Sequence, residues 1–200
     1  MDDDKRRRIG EAALEVFLRF GYRKVTMDDI ARGAGMSRPA LYLVFPNKES
    51  VFREVVRTGL DKLLDDIERG LPGRRTLAEQ LTHVFHVSSV GSYELVGRAP
   101  AAAELLHASF DFVGDLFERY DRRLAEILER LLRAAARDPD GLRPTAAARA
   151  RVLIAAARGF KSLAHDADDL SRLVSDLVQM TVAGLPGTGR ATRRPAKTAR

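Results

Sequence analysis

Apolar residues recur along this chain at intervals of three and four, and no stretch alternates convincingly at intervals of two. That period predicts helices throughout. Ile9, Ala12, Ala13, Val16, Phe17 and Phe20 make one stripe, closed by Gly21, a residue suited to the left-handed position beyond a helix end. Thr26, with Asp29 three residues later, is close to a capping box and opens a short helix ending at Ala34 or Gly35. Ser37 caps a third helix, in which Pro39 is tolerated because first-turn amides have no partner within the helix. After Phe45-Pro46-Asn47 a long helix carries Val51, Phe52, Val55, Val56, Leu60, Leu63, Leu64 and Ile67 on its apolar side.

The sequence Gly70-Leu71-Pro72-Gly73 breaks this pattern and marks a seam. Beyond it helices are expected over about 76–90 and about 101–136, the second broken near Gly114. Two more follow the turn at 137–144, over about 145–164 and 167–184. The expected organisation is a small N-terminal unit over 1–50, with its long connecting helix continuing to about 68. A helical body follows over 51–184, then a disordered basic tail over 185–200.

A short helix, a tight turn and a second short helix over 27–45 form a helix-turn-helix pattern. Ala31 suits a close helix approach, and Gly35 supplies a positive φ at the turn. Ile30, Ala34, Met36, Leu41 and Val44 have the spacing to bury one face. Arg38, Pro39, Ala40, Tyr42 and Leu43 are then left outward. An arginine can pair bidentately with guanine, alanine and leucine can pack on thymine methyls, and a tyrosine can donate to phosphate. Ser37 would leave helix amides facing a phosphate, and Lys48 would meet the DNA backbone.

Residues 12–56 resemble the N-terminal DNA-binding domain of the tetracycline-repressor (TetR/AcrR) family. The likeness is carried by Phe17, Gly21, Tyr22, Thr26, Asp29, Ile30, Ala31, Ala34, Gly35, Ser37, Leu41, Tyr42, Phe45, Lys48 and Phe52. Val25 departs from a frequent threonine, and Pro39-Ala40 from a common small-residue pair. The resemblance implies an all-α chain of about nine helices. A three-helix helix-turn-helix domain would precede a C-terminal bundle that binds an effector and mediates dimerisation. It also implies DNA contact at Thr26, Arg38, Pro39, Ala40, Tyr42, Leu43 and Lys48.

In the body, Ala156, Gly159, Leu163, Leu170, Leu173, Val174, Leu177, Val178 and Thr181 form apolar stripes with small residues on two consecutive helices. Two such helices from each of two chains can form a four-helix dimer interface, as the resemblance implies. The effector pocket is expected at Phe85, His86, Tyr93, His107, Phe110, Phe117, Tyr120 and Phe160, for an apolar or aromatic small molecule. Glu79, His83 and His86 share one helical face, and Glu104 and His107 form one Glu-x-x-His pair. A di-iron bundle needs two such pairs. A single metal held by His83, His86, Glu104 and His107 is chemically reasonable, but the favoured reading is that these side chains are solvent-facing or pocket-lining, with no metal and no cofactor expected.

Composition narrows the function. There is no cysteine, which excludes disulfides, thiol nucleophiles and thiolate-bound zinc. Neither a nucleophile elbow nor a phosphate-cradling glycine loop is present, so catalysis is not expected. No apolar run reaches membrane length, and a cytoplasmic location without membrane association follows as the expectation. Residues 1–60 carry a net +3 (12 basic, 9 acidic), 61–184 a net −2 (17 basic, 19 acidic) and 185–200 a net +5 (5 basic). A basic N-terminal portion on a near-neutral body suits a polyanionic partner. The sequence thus points to a dimeric, ligand-responsive transcriptional regulator, a repressor released from a pseudo-palindromic operator by a small molecule. The alternative is a metal- or ligand-binding helical bundle without sequence-specific DNA binding.

Overall fold

The structure, a computed structural model, describes residues 2–98 and 111–185. Among the described residues it contains nine α-helices and no strand. They are α1 (Asp2–Phe20), α2 (Met27–Gly33), α3 (Arg38–Tyr42), α4 (Lys48–Gly70), α5 (Leu77–Phe85), α6 (Gly91–Arg98), α7 (Gly114–Ala135), α8 (Ala146–Leu163) and α9 (Ala167–Ala183).

The N-terminal unit packs α1 against α2 and α4, with α3 laid on α2. Ile9, Ala13 and Phe17 are the buried row of α1, whereas Phe20, expected on the same stripe, is half exposed under Arg19. Phe20 keeps the direction of that row but is the last residue of the helix. Both short helices start on side-chain caps. Thr26 and Asp29 form a full capping box, and the Ser37 hydroxyl accepts from the Ala40 amide. Gly21 (φ 78°) and Gly35 (φ 63°) take the left-handed conformation that their turns require.

α4 joins the two parts of the molecule. Val51, Phe52, Val55 and Val56 are buried at its start, and Leu60 and Ile67 are buried farther along. The body is a bundle in which α7 packs along α8, α9 on α5, and α4 on α7. Its core includes Leu81, Phe85, Leu128, Leu132, Leu153 and Leu170. α7 starts at Gly114 after a 3-10 turn at Asp111–Val113, and the earlier part of the helix expected over about 101–136 lies outside the described residues.

The helix expected over 76–90 ends differently. α5 passes through a π-helical turn at His86–Val90 directly into α6. Nothing in that stretch stops a helix, and the extra residue of the wide turn is accommodated by burying Ser88, Ser89 and Val90. The tail boundary at 185 falls on Leu185, which is buried at 2% exposure; residues 186–200 lie outside the described ones.

Candidate functional site

The outward face of α3 is built by what lies beneath it. Leu41 is fully buried where α3 packs on α2, which fixes the rotation of the helix. Arg38, Pro39, Tyr42 and Leu43 then face solvent, with Ala40 half-buried at the flank. Leu43 is 86% exposed, an apolar side chain with almost no contact to its own protein. Arg38 lies over the Tyr42 ring at 5.5 Å and donates to Asp28 at 3.3 Å, so the guanidinium is held at the surface between α2 and α3. Thr26 is exposed, with its hydroxyl donating to the Asp29 carboxylate at 2.6 Å. That bond is the main reason the Asp29 carboxyl sits below its ordinary pKa.

Lys48 stands apart from the expected phosphate role. Its ammonium donates to the carbonyls of Tyr22 and Val25, each at 2.8 Å, and lies 4.4 Å from the Tyr22 ring centroid. It therefore ties the start of α4 to the turn ahead of α2, where freed carbonyls attract a cation. Arg6 is also engaged internally, donating to the Val44 carbonyl at 3.2 Å and stacking over Phe45.

Two neighbouring cavities lie in the body. One, about 100 Å³, is lined by Phe85, Phe117 and Tyr120 together with Ser88, Ser89, Arg158 and Lys161. The other, about 380 Å³, is almost wholly apolar, with Val55, Val56, Gly59, Val87, Leu95 and, from α1, Leu14 in its wall. Leu60, Leu63 and Ser92 line both. Burial, aided by the neighbouring Arg158, pulls the Lys161 ammonium down to about 8. Burial likewise holds the Tyr120 phenol well above its ordinary value.

Residues 9–55 match the family model described as bacterial regulatory proteins, tetR family. The match runs from α1 into the first turns of α4, about a quarter of the chain. Among similar proteins, the uncharacterized HTH-type transcriptional regulator YfiR of Bacillus subtilis is 32% identical over 124 residues, 60% of this chain and 56% of the relative. The HTH-type transcriptional regulator EthR of Mycolicibacterium smegmatis is 28% identical over 113 residues, covering 55% and 51%. The chain thus spans little more than half the length of these two curated relatives. A tetR-family transcriptional regulator from Streptomyces coelicolor has the same fold, with a TM-score of 0.67 at 22% identity, covering 90% of this chain and 80% of that one. FadR of Bacillus subtilis, solved in complex with stearoyl-CoA, has a TM-score of 0.62 at 20% identity, covering 89% and 98%.

Of the residues expected around an effector, Phe85, Phe117 and Tyr120 share the first cavity and His86 lines the second. Tyr93 and Phe160 line neither. The Tyr93 hydroxyl donates to the Ala164 carbonyl at 3.1 Å, tying α6 to the end of α8, and Phe160 packs on the core. His107 and Phe110 lie outside the described residues. Sequence reading missed Lys161, Ser88 and Ser89. A lysine on an amphipathic helix and two serines in a helical run carry no local sign that they are buried.

The dimer stripe needs a correction. Leu170, Val174 and Val178 are 0–3% exposed inside the protomer, packed toward α5 and the π turn, and cannot meet a partner. Their i, i+4, i+8 row is the inward face of α9, so Leu173, Leu177 and Thr181 fall at its half-buried edge. The exposed apolar positions are Val152 and Leu163 on α8 and Met180 on α9.

The histidine and glutamate side chains have structural roles. The Glu79 carboxylate accepts from the Arg75 and Thr76 amides at the start of α5, and the His83 ring lies on the Asp66 and Ile67 carbonyls. Among the described residues no group of three such side chains converges; Glu104 and His107 lie outside them. No described helix is long and apolar enough to cross a membrane.

Proposed function

We propose that this chain is a dimeric transcriptional regulator, a repressor that binds a pseudo-palindromic operator and is released by a small molecule. The observation that carries the reading is the exposed α3 face of Arg38, Pro39, Tyr42 and Leu43 on a buried Leu41 pivot, in a segment that matches the tetR-family model. Arg38 and Leu43 read bases, while Thr26, Ser37, Ala40 and Tyr42 position the backbone or pack beside it. Lys48 acts by holding the α2–α3 unit to α4, with any phosphate contact secondary.

The dimer forms through the outer faces of α8 and α9. Val152, Ala156, Gly159 and Leu163 follow one another at helical spacing on α8, and Leu173, Leu177, Met180 and Thr181 do so on α9. A Cβ on Gly159 would meet no neighbour within the protomer, which leaves room for a second helix. Two α3 helices then address major grooves about 34–36 Å apart. Because α4 lines both cavities and packs on α1, a ligand that favours one position of α4 shifts the spacing of the two α3 helices.

The test is selection of bound sequences from a random DNA pool at moderate salt. Recovery of a pseudo-palindrome with half-sites about one helical turn apart is expected. Binding without a motif that vanishes as salt rises would overturn the reading and leave a helical ligand-binding bundle with a basic surface.

A further inference from the structure

The smaller cavity holds more unsatisfied polarity than a core tolerates. Lys161 reaches into it from α8, its ammonium donating to the Ser92 hydroxyl at 2.8 Å and to the Ser88 carbonyl at 3.3 Å. In the wall of the same cavity the Ser88 hydroxyl and the Tyr120 phenol, on residues 9% and 8% exposed, have no hydrogen-bond partner among the protein's own groups. Buried hydroxyls are ordinarily satisfied, so two orphans beside one ammonium point to an absent acceptor. The other charges facing the cavity, Asp121 on α7 and Arg158 on α8, are paired with each other. The site therefore retains one net positive charge.

Beyond Leu60, Leu63 and Ser92 the environment changes completely. The larger cavity presents Val55, Val56, Val87 and Leu95, and a Cβ on Gly59 would meet nothing there. Its volume of about 380 Å³ lies in the range of small-ligand sites, and its mouth carries Leu14 and Leu95, 36% and 39% exposed. Leu14 belongs to α1, so an occupant of this cavity touches the DNA-binding unit directly.

We propose that the two cavities form one site for a single-headed anionic amphiphile, a long-chain carboxylic acid. Its carboxylate sits among Lys161, Ser88 and Tyr120, and its tail runs past Gly59 to Leu14. The carboxylate accepts from the ammonium and from both orphaned hydroxyls. Charge neutralisation and three donors fix the head, while the tail leaves water along an apolar wall. Leu60, Leu63 and Ser92 line both cavities, so head and tail sites adjoin along them. This deepens the regulator reading by naming the ligand class of its body.

The experiment is calorimetric titration of the purified full chain with dodecanoate, dodecanol and butyrate at pH 7. Dodecanoate is expected to bind at least about tenfold more tightly than dodecanol, with butyrate not detected. Lys161→Met should bring dodecanoate down to the level of dodecanol. Gly59→Phe, which fills the tail cavity from a helix position with free space, should abolish binding of both while the protein stays folded by circular dichroism. Equal affinity for acid and alcohol, dodecanoate binding unchanged in Lys161→Met, or no binding of dodecanoate would each overturn the proposal. Recovery of an operator motif is independent of these titrations, so the DNA-binding reading and the ligand assignment can fail separately.

Discussion

Arg53 on α4 grips Asp115 at the first turn of α7 with both guanidinium nitrogens, at 2.8 and 2.7 Å, and also donates to the carbonyl of Phe112. The Phe112 ring lies 5.9 Å from Phe52 and 5.8 Å from Tyr22, so the start of α7 is fastened to the turn ahead of α2. The ion pair is largely solvent-exposed, whereas the rings are packed. Phe112→Ala should therefore lower stability by about 2–3 kcal/mol. Asp115→Asn should do little at neutral pH, since exposed pairs contribute weakly. Arg53 holds the Asp115 carboxyl below its ordinary value, so the contribution of that pair is complete above the usual carboxylate range and is lost as pH falls below it. Urea unfolding at pH 7 and at about pH 3 separates the two, and equal losses at pH 7 would contradict this division.

Lys161 gives a pH dependence of opposite sense. Its folded value of about 8 lies below the ordinary 10.5, so the folded state binds fewer protons than the unfolded one between those values. Burial of the charged form costs stability below pH 8, and that cost fades as pH rises toward 10.5. Asp121 and Arg158, which face it, are paired with each other, and burial pushes the Tyr120 phenol up beyond this window. From pH 7 to pH 10.5 the wild type should gain about 2–3 kcal/mol relative to Lys161→Met. Denaturant curves at both pH values check it, and a constant difference between the proteins would remove the buried charge from the account.

The contacts of α3 and α4 predict two different phenotypes. Arg38→Ala should weaken operator binding on the order of ten- to a hundredfold and relax selection at one base pair per half-site, with the melting temperature unchanged. Lys48→Ala frees the carbonyls of Tyr22 and Val25 and should weaken binding to all DNA while also lowering the melting temperature. Binding to operator variants alongside thermal melts would distinguish them. If Lys48→Ala melts like the wild type, its tie to the turn contributes nothing measurable.

Three glycines should fail for different reasons. Gly35 has open space around it but φ of 63°, so Gly35→Ala should cost about 1 kcal/mol and Gly35→Asn less. A Cβ on Gly33 would come within 2.8 Å of Val16, and one on Gly70 would fall on the His83 ring. Gly33→Ala and Gly70→Ala should each cost about 1–3 kcal/mol through overpacking. His83→Ala should relieve the second and leave the first untouched. Unfolding of the double variant decides, and additive losses for Gly70→Ala with His83→Ala would mean that the ring is not the obstacle.

The N-terminal unit was legible in the sequence because its signals are local. Thr26 with Asp29, Ser37 with Pro39, and Gly21 and Gly35 at their turns each act on backbone a few residues away, and the structure carries the same caps and the same positive φ values. The helix periods of the body were legible for the same reason. The faces were not, because an apolar stripe is the same whether it meets its own protomer or another. Leu170, Val174 and Val178 turned inward only because α5 and the π turn stand against them. The ammonium of Lys48 found carbonyls 23 and 26 residues away, and Lys161 became a buried charge through Ser88 and Ser92, some 70 residues earlier in the chain. Sequence by itself determined the described helices, the caps and the outward face of α3, since those follow from short-range sterics and hydrogen bonding. Only the tertiary structure decided which cations are engaged and where the cavities lie, since burial and pairing depend on residues that the chain brings together from afar.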